Sequence, residues 1–378
     1  MDERRRGPLV LVAAGGTGGH LFPAEALAVA LARRGITVDL ATDERATRYG
    51  TRFPARTTHI IPSDTIRGRN PIALARTGAV LGYGLAKAWR LIGRLKPAAV
   101  VGFGGYPTIP PVMAATLRKV PTVIHDANAV IGRANRLLGP RVNVIATGFH
   151  GVLDADADLA AKATHTGNPV RLAVVEAAAT PYAAPQFPGP VRLTVFGGSQ
   201  GARVMADIVP PAIERLEPAL WSRLTVVQQA RAEDVERVRK TYAALKIVAD
   251  VAPFFPDLPT RIAESHLVVA RSGASTVAEL GAIGRPAILV PLPHALDQDQ
   301  LANATVLVKA GGAVCVNQDE LTPDRLASEI SGLLGEPQRL AMMAKGARSV
   351  GTLDAADRLA DLVVGLSVRK RLDANKMK

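Results

Sequence analysis

The sequence has a single cysteine, Cys315, among its 378 residues, so no internal disulfide bond is possible. This scarcity is consistent with a reducing compartment such as the cytosol. In the run AVCV the thiol is typical of a small buried hydrophobic side chain.

Long apolar runs are also missing. No stretch reaches the roughly eighteen uncharged apolar residues of a spanning helix. The charged start, MDERRRG, runs directly into an apolar segment without a small-residue cleavage site, so we expect no secretory signal. The chain is expected to be soluble or to lie on a membrane surface.

Aromatic residues make up only 4% of the sequence, and no zinc-finger or RNA-binding aromatic motif is present. The net charge of +13 nevertheless favours an anionic partner. Because few rings are available for base stacking, we expect no nucleic-acid binding. The positive charge then indicates phosphorylated ligands or an acidic lipid surface.

The sequence does contain an alternation of β-branched runs with longer helical patterns, which predicts parallel sheets covered by helices on both faces. The expected strands are LVLVAA, ITVDLAT, AAVVGF, PTVIHD and VNVIAT in the first half and VRLTVF, LTVVQQA, LVVARSG, AILVPLP and AVCV in the second. The expected helices include 24–34, 71–94 and 107–118. The alternation breaks between 150 and 190, so we expect two similar α/β domains, 1–166 and 167–350. A final helix at 353–366 is expected to pack back on the first domain.

Each half opens with a strand that enters a glycine-rich turn before a helix: Gly15–His20 (GGTGGH) and Gly197–Ala202 (GGSQGA). Backbone N–H groups and the helix dipole form an anion site at such a turn, and glycine permits close approach of the backbone. Two such loops favour phosphate binding over simple chain reversal. Neither loop matches a known nucleotide-binding motif. Counted from Gly16, the last glycine of G-x-G-x-x-G is replaced by Leu21, and no G-K-[ST] is present. A nicotinamide-dependent oxidoreductase, with Asp43 on a ribose, is kept as an alternative.

His20 ends the first loop, near the carboxyl end of the first expected strand. Ligands bind at that edge in open α/β sheets. A neutral imidazole there is suited to accept a proton from a sugar hydroxyl. A purely structural histidine is the alternative.

Five stretches in order along the chain resemble the MurG family of peptidoglycan glycosyltransferases: GGTGGHLFPA, GFGGYPTIP, GNPVR, GGSQGA and RSGASTVAEL. Members of that family move N-acetylglucosamine (GlcNAc) from UDP onto undecaprenyl-diphosphate-linked muramyl-pentapeptide. The resemblance implies a GT-B architecture, in which two Rossmann-like domains face each other across a cleft. It also implies an inverting transfer without a metal or other cofactor. DADAD (Asp154–Asp158) contains the D-x-D string of metal-dependent transferases, but its polar surroundings indicate solvated surface.

The resemblance further implies roles for individual residues. The donor, UDP-GlcNAc, is expected to contact Thr17, Gly18, Gly19, Asn128, Arg171, Ser199, Phe255, Ala274, Ser275, Thr276, Val277, Ala278, Glu279 and Gln300. Arg171 and Ser199 are expected at the diphosphate, Phe255 at uracil through its backbone, and Glu279 at the ribose hydroxyls, for which a carboxylate is a good acceptor. The acceptor diphosphate is expected near Gly15, Gly16, Gly104, Gly105 and Tyr106.

One segment departs from the family pattern. The family often has H-E-Q-N where this chain has HDAN, His125–Asn128. Asn128 is retained, whereas Asp126 is one methylene shorter than the glutamate. His20 and Asp126 are therefore both candidate catalytic residues, and the sequence leaves open which one is the base for the muramyl 4-hydroxyl.

The polyprenyl chain of the family's acceptor implies that the protein reaches a bilayer. The segment 67–94 mixes apolar and basic residues, and its uncharged run, Thr77–Ala86, is too short to span. The predicted membrane contacts are Arg67, Arg69, Ile72, Leu74, Arg76 and Trp89. Such a helix suits anionic lipid, so we expect peripheral attachment at the cytoplasmic face of the inner membrane. An ordinary packed helix with solvated arginines is the alternative.

Two further functions stay open from the sequence. One is a UDP-sugar transferase that acts on another lipid such as diacylglycerol, because no motif identifies the acceptor. The other is a basic scaffold that binds a nucleotide sugar without turnover. Other cell-wall synthesis proteins are candidate partners that no motif identifies.

Overall fold

The computed structural model describes residues 8–15, 18–44, 53–64, 71–198, 201–293, 295 and 298–376. The chain divides into two compact units. Unit 1 comprises Met1–Arg171 and Asp354–Lys378, and unit 2 comprises Leu172–Leu353. Within the described residues each unit is built on a parallel sheet covered by helices, so the predicted α/β class is confirmed.

Unit 1 contains a seven-stranded sheet. Its strands are β1 (Leu9–Ala13), β2 (Thr37–Thr42), β3 (Thr58–Ile60), β4 (Ala99–Gly102), β5 (Thr122–Asp126), β6 (Val144–Thr147) and β7 (Ala163–His165). The helices between them are α1 (Gly18–Arg33), α2 (Pro71–Leu95), α3 (Ile109–Leu117), α4 (Arg133–Leu138) and α5 (Ala157–Ala160). The strand order is β3-β2-β1-β4-β5-β6-β7, with every pair parallel. The order reverses between β1 and β4, so the loops that follow these two strands lie side by side at the switch point, where ligands bind in open α/β sheets.

Unit 2 repeats this arrangement with six strands. They are β8 (Val191–Phe196), β9 (Leu224–Gln229), β10 (Val248–Ala252), β11 (Leu267–Ala270), β12 (Ala287–Leu289) and β13 (Ala313–Cys315). The helices are α6 (Leu172–Ala177), α7 (Arg203–Glu214), α8 (Pro218–Trp221), α9 (Val235–Ala244), α10 (Leu258–Glu264), α11 (Ala274–Ile283), α12 (Asp299–Lys309), α13 (Pro323–Leu334) and α14 (Pro337–Ser349). The parallel order β10-β9-β8-β11-β12-β13 again reverses, here between β8 and β11.

The last helix, α15 (Ala355–Lys376), belongs to unit 1 and packs on α1. Its buried Leu359 and Val363 join the same apolar cluster as Leu27 of α1. Asp357 also accepts hydrogen bonds from Arg34 of α1. Such exposed ion pairs contribute little to stability, so burial of the apolar side chains holds this helix in place.

Three of the described strands were not predicted from the sequence: β3, β7 and β10. Each lies at an edge of its sheet, where one side of the strand meets solvent and no continuous apolar run is needed. The first helix also differs from its prediction at 24–34, because α1 begins at Gly18. Pro23 lies inside α1, and since it has no N–H, the carbonyl of Gly19 loses its usual donor four residues on. Gly18, Gly19 and His20 lie in the first turn of this helix, before the proline.

The unit boundary follows Arg171, later than the expected boundary at 166. Two hydrogen bonds attach GNPVR to the end of β5. His125 Nε2 lies 3.1 Å from the carbonyl oxygen of Gly167, and the Asn168 side-chain amide donates to the carbonyl of Ala127 at 2.9 Å. These contacts attach the segment to unit 1, in which Arg171 is the last residue before unit 2.

Candidate active sites at the carboxyl ends of the two sheets

The switch point of unit 1 brings together the loops after β1 and β4. Gly15 follows β1, and Gly104 and Gly105 follow β4 with φ angles of +82° and +76° that favour glycine. A Cβ built on Gly15 would lie 3.7 Å from the carbonyl oxygen of Gly104, so a side chain there would meet the loop after β4. Tyr106 is half-buried and begins a 3-10 turn over Tyr106–Thr108. Four of the residues predicted at the acceptor diphosphate thus lie in adjoining loops.

The half-buried His20 ring lies against these glycines. A Cβ built on Gly105 would stand 3.3 Å from His20 Cε1, one on Gly104 would stand 3.6 Å from Nε2, and one on Gly15 would stand 3.2 Å from Nδ1. Any side chain at these positions would therefore contact the imidazole. Gly18 is buried and Gly19 is exposed, whereas Gly16 and Thr17 lie outside the described residues.

Asp126 is buried at the end of β5 and holds the loop that follows. Its Oδ2 accepts from the Gly132 N–H at 2.8 Å and from the Asn135 side-chain amide at 3.0 Å. Its Oδ1 accepts from the N–H of the half-buried Asn128 at 3.1 Å. In this geometry the carboxylate positions the loop that presents Asn128. The base role expected for Asp126 stays a prediction.

His125 precedes Asp126 and is fully buried. Burial lowers the pKa of its imidazole to about 4, although the hydrogen bond with Gly167 opposes that shift. The ring is therefore neutral near pH 7, and it links β5 to the GNPVR segment.

Arg171 lies at the end of that segment, with its guanidinium 3.9 Å above the ring of Phe22 in α1. The half-buried Glu25 is a charge neighbour: burial raises the pKa of its carboxyl, and the positive charge of Arg171 opposes the rise. The planar stack orients a cation that the sequence places at the donor diphosphate.

The glycine loop of unit 2 follows β8. The N–H of Gly197 donates to the Gln229 side chain at 3.1 Å, and Gly198 and Gly201 have φ angles of +84° and +65°. The next helix, α7, begins at Arg203 with no side-chain hydrogen bond at its N-cap, so its first N–H groups are suited to an anion. Ser199, predicted at the diphosphate, lies outside the described residues.

The predicted segment Ala274–Glu279 forms the first part of α11, directly after β11. Its N-cap, Gly273, makes no side-chain hydrogen bond, as at α7. Val277 is buried in the core, as are most of the Thr276 and Glu279 side chains. The other members, Ala274, Ser275 and Ala278, are half-buried. A carboxylate that is mostly buried one turn into a helix, near its positive end, is suited to accept hydrogen bonds from a ligand.

Phe255 follows β10 and is 7% exposed, with the guanidinium of Arg261 4.4 Å from the centre of its ring. Its carbonyl accepts from the Leu258 N–H at 3.4 Å, at the start of α10. The ring therefore anchors the loop after β10. This anchoring is compatible with the contact to uracil that is predicted for its backbone.

Gln300, in α12, lies against the loop before α11. Its carbonyl accepts from Ser272 Oγ at 2.8 Å, while its side-chain oxygen accepts from the Leu292 N–H at 3.0 Å. Asn303 donates to the Ser272 carbonyl at 3.2 Å. Gln300 is thus brought to the same sheet edge as Ala274–Glu279.

Sequence reasoning missed the residues that hold these loops. They are Asn135, Gln229, Arg271, Ser272 and Asn303, all buried. Arg271 donates to the Val290 and Pro291 carbonyls, at 3.1 Å and 2.8 Å, and its burial lowers the pKa of the guanidinium. A usable signal was present in Arg271, because it is a charged residue directly after the wholly apolar strand β11.

The predicted membrane segment forms α2, which contains no acidic residue. Leu91 and Ile92 pack into the core, whereas Arg76, Tyr83 and Arg90 are exposed. Trp89 is 39% exposed and lies beneath the Arg118 guanidinium, at 4.2 Å. The other predicted contacts, Arg67 and Arg69 and the side chains of Ile72 and Leu74, lie outside the described part of the chain.

Two further observations concern metals and membranes. Asp154–Asp158 is exposed at the surface of unit 1. No cluster of three or more histidine, cysteine, aspartate or glutamate side chains arranged for a metal ion occurs among the described residues. In the same part of the chain, no helix combines the length and apolar character needed to cross a bilayer.

Comparison with known proteins gives two family matches and close relatives. Residues 10–147 match the glycosyltransferase family 28 N-terminal domain, and residues 192–359 match the family 28 C-terminal domain. The chain is 64% identical to the "UDP-N-acetylglucosamine--N-acetylmuramyl-(pentapeptide) pyrophosphoryl-undecaprenol N-acetylglucosamine transferase" of Rhodopseudomonas palustris (strain BisA53), over 94% of this chain and 96% of the relative. It is 62% identical to the protein of the same name from Bradyrhizobium sp. (strain BTAi1 / ATCC BAA-1182), over 94% and 97%. The crystal structure of Acinetobacter baumannii MurG is similar with a TM-score of 0.77 and 29% identity, over 95% of this chain and all of that one.

Two parallel-sheet units with glycine loops at their carboxyl edges define a glycosyltransferase of the GT-B class. The alternative of a nicotinamide-dependent oxidoreductase is therefore wrong. Within it, the chain belongs to glycosyltransferase family 28 and to the MurG family of N-acetylglucosamine transferases.

Proposed function

We propose that the protein transfers GlcNAc from UDP-GlcNAc to the muramyl 4-hydroxyl of undecaprenyl-diphospho-N-acetylmuramyl-pentapeptide, in peptidoglycan synthesis. The observation that carries this proposal is the 64% identity, over 94% of the chain, to a transferase named for that donor and acceptor. The glycine loops support it, because donor and acceptor both contain a diphosphate that such loops are suited to bind.

The donor is held by the sheet edge of unit 2. The turn at Gly197–Ala202 and the start of α7 receive the diphosphate, the loop of Phe255 receives uracil, and Glu279 accepts hydrogen bonds from the ribose hydroxyls. Arg171 and the helix N-termini stabilise negative charge on departing UDP. Gln300 faces the sugar.

The acceptor diphosphate lies at the glycines after β1 and β4, where His20 is the base. The 4-hydroxyl oxygen attacks the anomeric carbon as the bond to UDP breaks, and the hydroxyl proton passes to the imidazole. Asp126, held by three donors, positions the loop of Asn128.

The basic, partly apolar face of α2 contacts anionic lipid at the cytoplasmic face of the membrane. Exposed Arg76, Lys87 and Arg90 on this face attract acidic headgroups, and Tyr83 and Trp89 suit the interface. Peripheral attachment brings unit 1 to the polyprenyl anchor of the acceptor.

The test is transfer of radiolabelled GlcNAc from UDP-GlcNAc to a short-chain analogue of the muramyl-pentapeptide diphospholipid, with and without EDTA. We expect EDTA-resistant transfer that is lost in His20→Ala and retained in His150→Ala, which changes an exposed histidine of unit 1. Loss in Asp126→Asn, with transfer retained in His20→Ala, would instead make Asp126 the base. UDP-GlcNAc binding without transfer would contradict the acceptor assignment, and transfer to diacylglycerol would replace it.

A further inference from the structure

One buried side chain connects two of the loops assigned to the donor. Gln229 is the last residue of β9, which lies between β8 and β10 in the sheet of unit 2. Its Oε1 accepts from the N–H of Gly197, directly after β8, at 3.1 Å. Its Nε2 donates to the carbonyl of Pro253, directly after β10, also at 3.1 Å. The side chain is 6% exposed, whereas Pro253 lies at the surface.

We propose that Gln229 is a positioning residue that sets the spacing between the diphosphate loop and the nucleobase loop of the donor site. This inference rests on the proposed function, because it takes the ligand of these loops to be a uridine diphosphate. Gln229 does not have to touch that ligand. It fixes the two parts of the chain that do.

In each loop, further contacts let the hydrogen bond of Gln229 restrain the neighbouring backbone. On the β8 side, a Cβ on Gly197 would stand 2.2 Å from the N atom of Ala202, so the turn is folded tightly against the residue before α7. The N–H of Gly201 also donates to the carbonyl of Gly198 at 3.0 Å. Fixing Gly197 therefore restrains Ala202, the residue before α7.

On the β10 side, the anchored carbonyl lies two residues before Phe255. The Phe255 ring is mostly buried and packs beneath Arg261, while its carbonyl accepts from the Leu258 N–H. A hydrogen bond at Pro253 therefore restrains the backbone expected at uracil.

The chemistry of the residue fits this role. The glutamine amide has an acceptor and a donor on one planar group, so one side chain can bridge an N–H and a carbonyl. Glutamate could not donate to Pro253, and methionine would fill similar space with neither bond. Without the bridge, a ligand that spans both loops has to order them itself, which weakens its binding.

The neighbouring Gln228 provides a matched control. It is fully buried in the same strand and, because successive side chains alternate, points to the opposite face. Its amide donates to the Met205 carbonyl at 3.0 Å and accepts from the Tyr242 hydroxyl. Tyr242 belongs to the core of unit 2 and Met205 to the buried side of the first turn of α7. Gln228→Met therefore removes an equivalent pair of bonds while the bonds of Gln229 to Gly197 and Pro253 stay in place.

The experiment compares Gln229→Met and Gln228→Met in the full chain. Calorimetry measures the affinities of UDP and uridine, and the transfer assay gives KM for UDP-GlcNAc and kcat. For Gln229→Met we expect UDP affinity to fall about tenfold and KM to rise to match, because two hydrogen bonds are lost. Uridine is expected to contact only one of the two loops, so its affinity should fall less than about threefold. Gln228→Met should lower Tm similarly but weaken UDP binding clearly less than Gln229→Met does.

A second variant covers the case in which Gln229→Met does not fold. Gln229→Asn keeps the amide but is one methylene too short to reach both partners, so it should show the same selective loss of UDP affinity. Equal effects of the Gln228 and Gln229 variants, or a lower kcat with unchanged KM, would overturn the inference. Failure of the wild-type protein to bind UDP would instead contradict the proposed function.

Discussion

The imidazole of His20 lies where a side chain at Gly105 would begin, since a Cβ at that glycine would stand 3.3 Å from His20 Cε1. Gly105 also has φ +76° and ψ 157°, a conformation that is essentially limited to glycine. A side chain at this position in the loop after β4 would therefore press on the histidine of α1.

Gly105→Ala should therefore lower kcat by about tenfold or more, because small displacements of a reacting group cost rates of this order. UDP affinity should stay unchanged, since the donor loops of unit 2 are untouched. Gly35→Ala is the matched control: it also substitutes a glycine with positive φ, but nothing lies within 4 Å of its Cβ. Equal losses of kcat in the two variants would show that backbone strain, not the contact with His20, is responsible.

Glu279→Gln should weaken UDP binding about tenfold to a hundredfold, because hydrogen bonds to a charged carboxylate are stronger than those to an amide. Calorimetric titration with UDP measures the effect. Glu214→Gln, at the exposed end of α7, removes the same charge from unit 2 away from the loops. Wild-type affinity in Glu279→Gln would exclude the ribose contact.

The Phe22–Arg171 stack should affect the donor. Phe22→Leu removes a cation–π contact of about 1 kcal/mol, so KM for UDP-GlcNAc should rise a few-fold while kcat changes little. Phe187→Leu disrupts a comparable stack beneath Arg223, at 4.9 Å, in an exposed loop of unit 2. That variant should leave KM unchanged. If KM were the same in both variants, Arg171 would not contribute to donor binding.

His125 should make stability depend on pH in a definite direction. Its pKa is about 4 when folded, because burial disfavours the imidazolium, against an ordinary value of 6.5. Between pH 4 and pH 6.5 the unfolded chain therefore binds more protons at this residue than the folded chain does. The folded state is not penalised above pH 6.5, and it is destabilised progressively as the pH falls from 6.5 towards 4. The free energy of unfolding should fall by about 1.4 kcal/mol per pH unit in that window.

Urea unfolding at several pH values measures this slope. His125→Gln retains a donor for the Gly167 carbonyl but cannot titrate, so its slope should be shallower by that amount. Equal slopes would mean that the histidine titrates normally in the folded protein.

Binding to anionic vesicles should depend on the exposed face of α2. Arg90→Glu should weaken sedimentation with phosphatidylglycerol vesicles by at least about fivefold, because each basic residue near such a surface contributes about 1 kcal/mol. Lys345→Glu makes the same charge change on an exposed position of α14 in unit 2 and should have little effect. Equal losses would indicate attraction by net charge alone.

Much of the fold could be predicted from the sequence. Runs such as LVLVAA and VRLTVF are mostly apolar because parallel strands are buried on both faces, so their composition alone identified β1 and β8. The glycine loops were equally visible, since backbone close to another chain segment demands glycine. Edge strands such as β10 carry no comparable signal, because solvent accepts polar residues there.

The sequence by itself determined which residues are glycine, histidine or carboxylate at the ends of strands, and hence the chemistry available. Only the tertiary structure decided their partners. Gln229 reaches Gly197 and Pro253 because strand order places β9 between β8 and β10, and Asp126 holds its own loop because the chain after β5 turns back over it. Such contacts join residues distant in sequence or depend on the path of a loop, and local patterning does not encode either one.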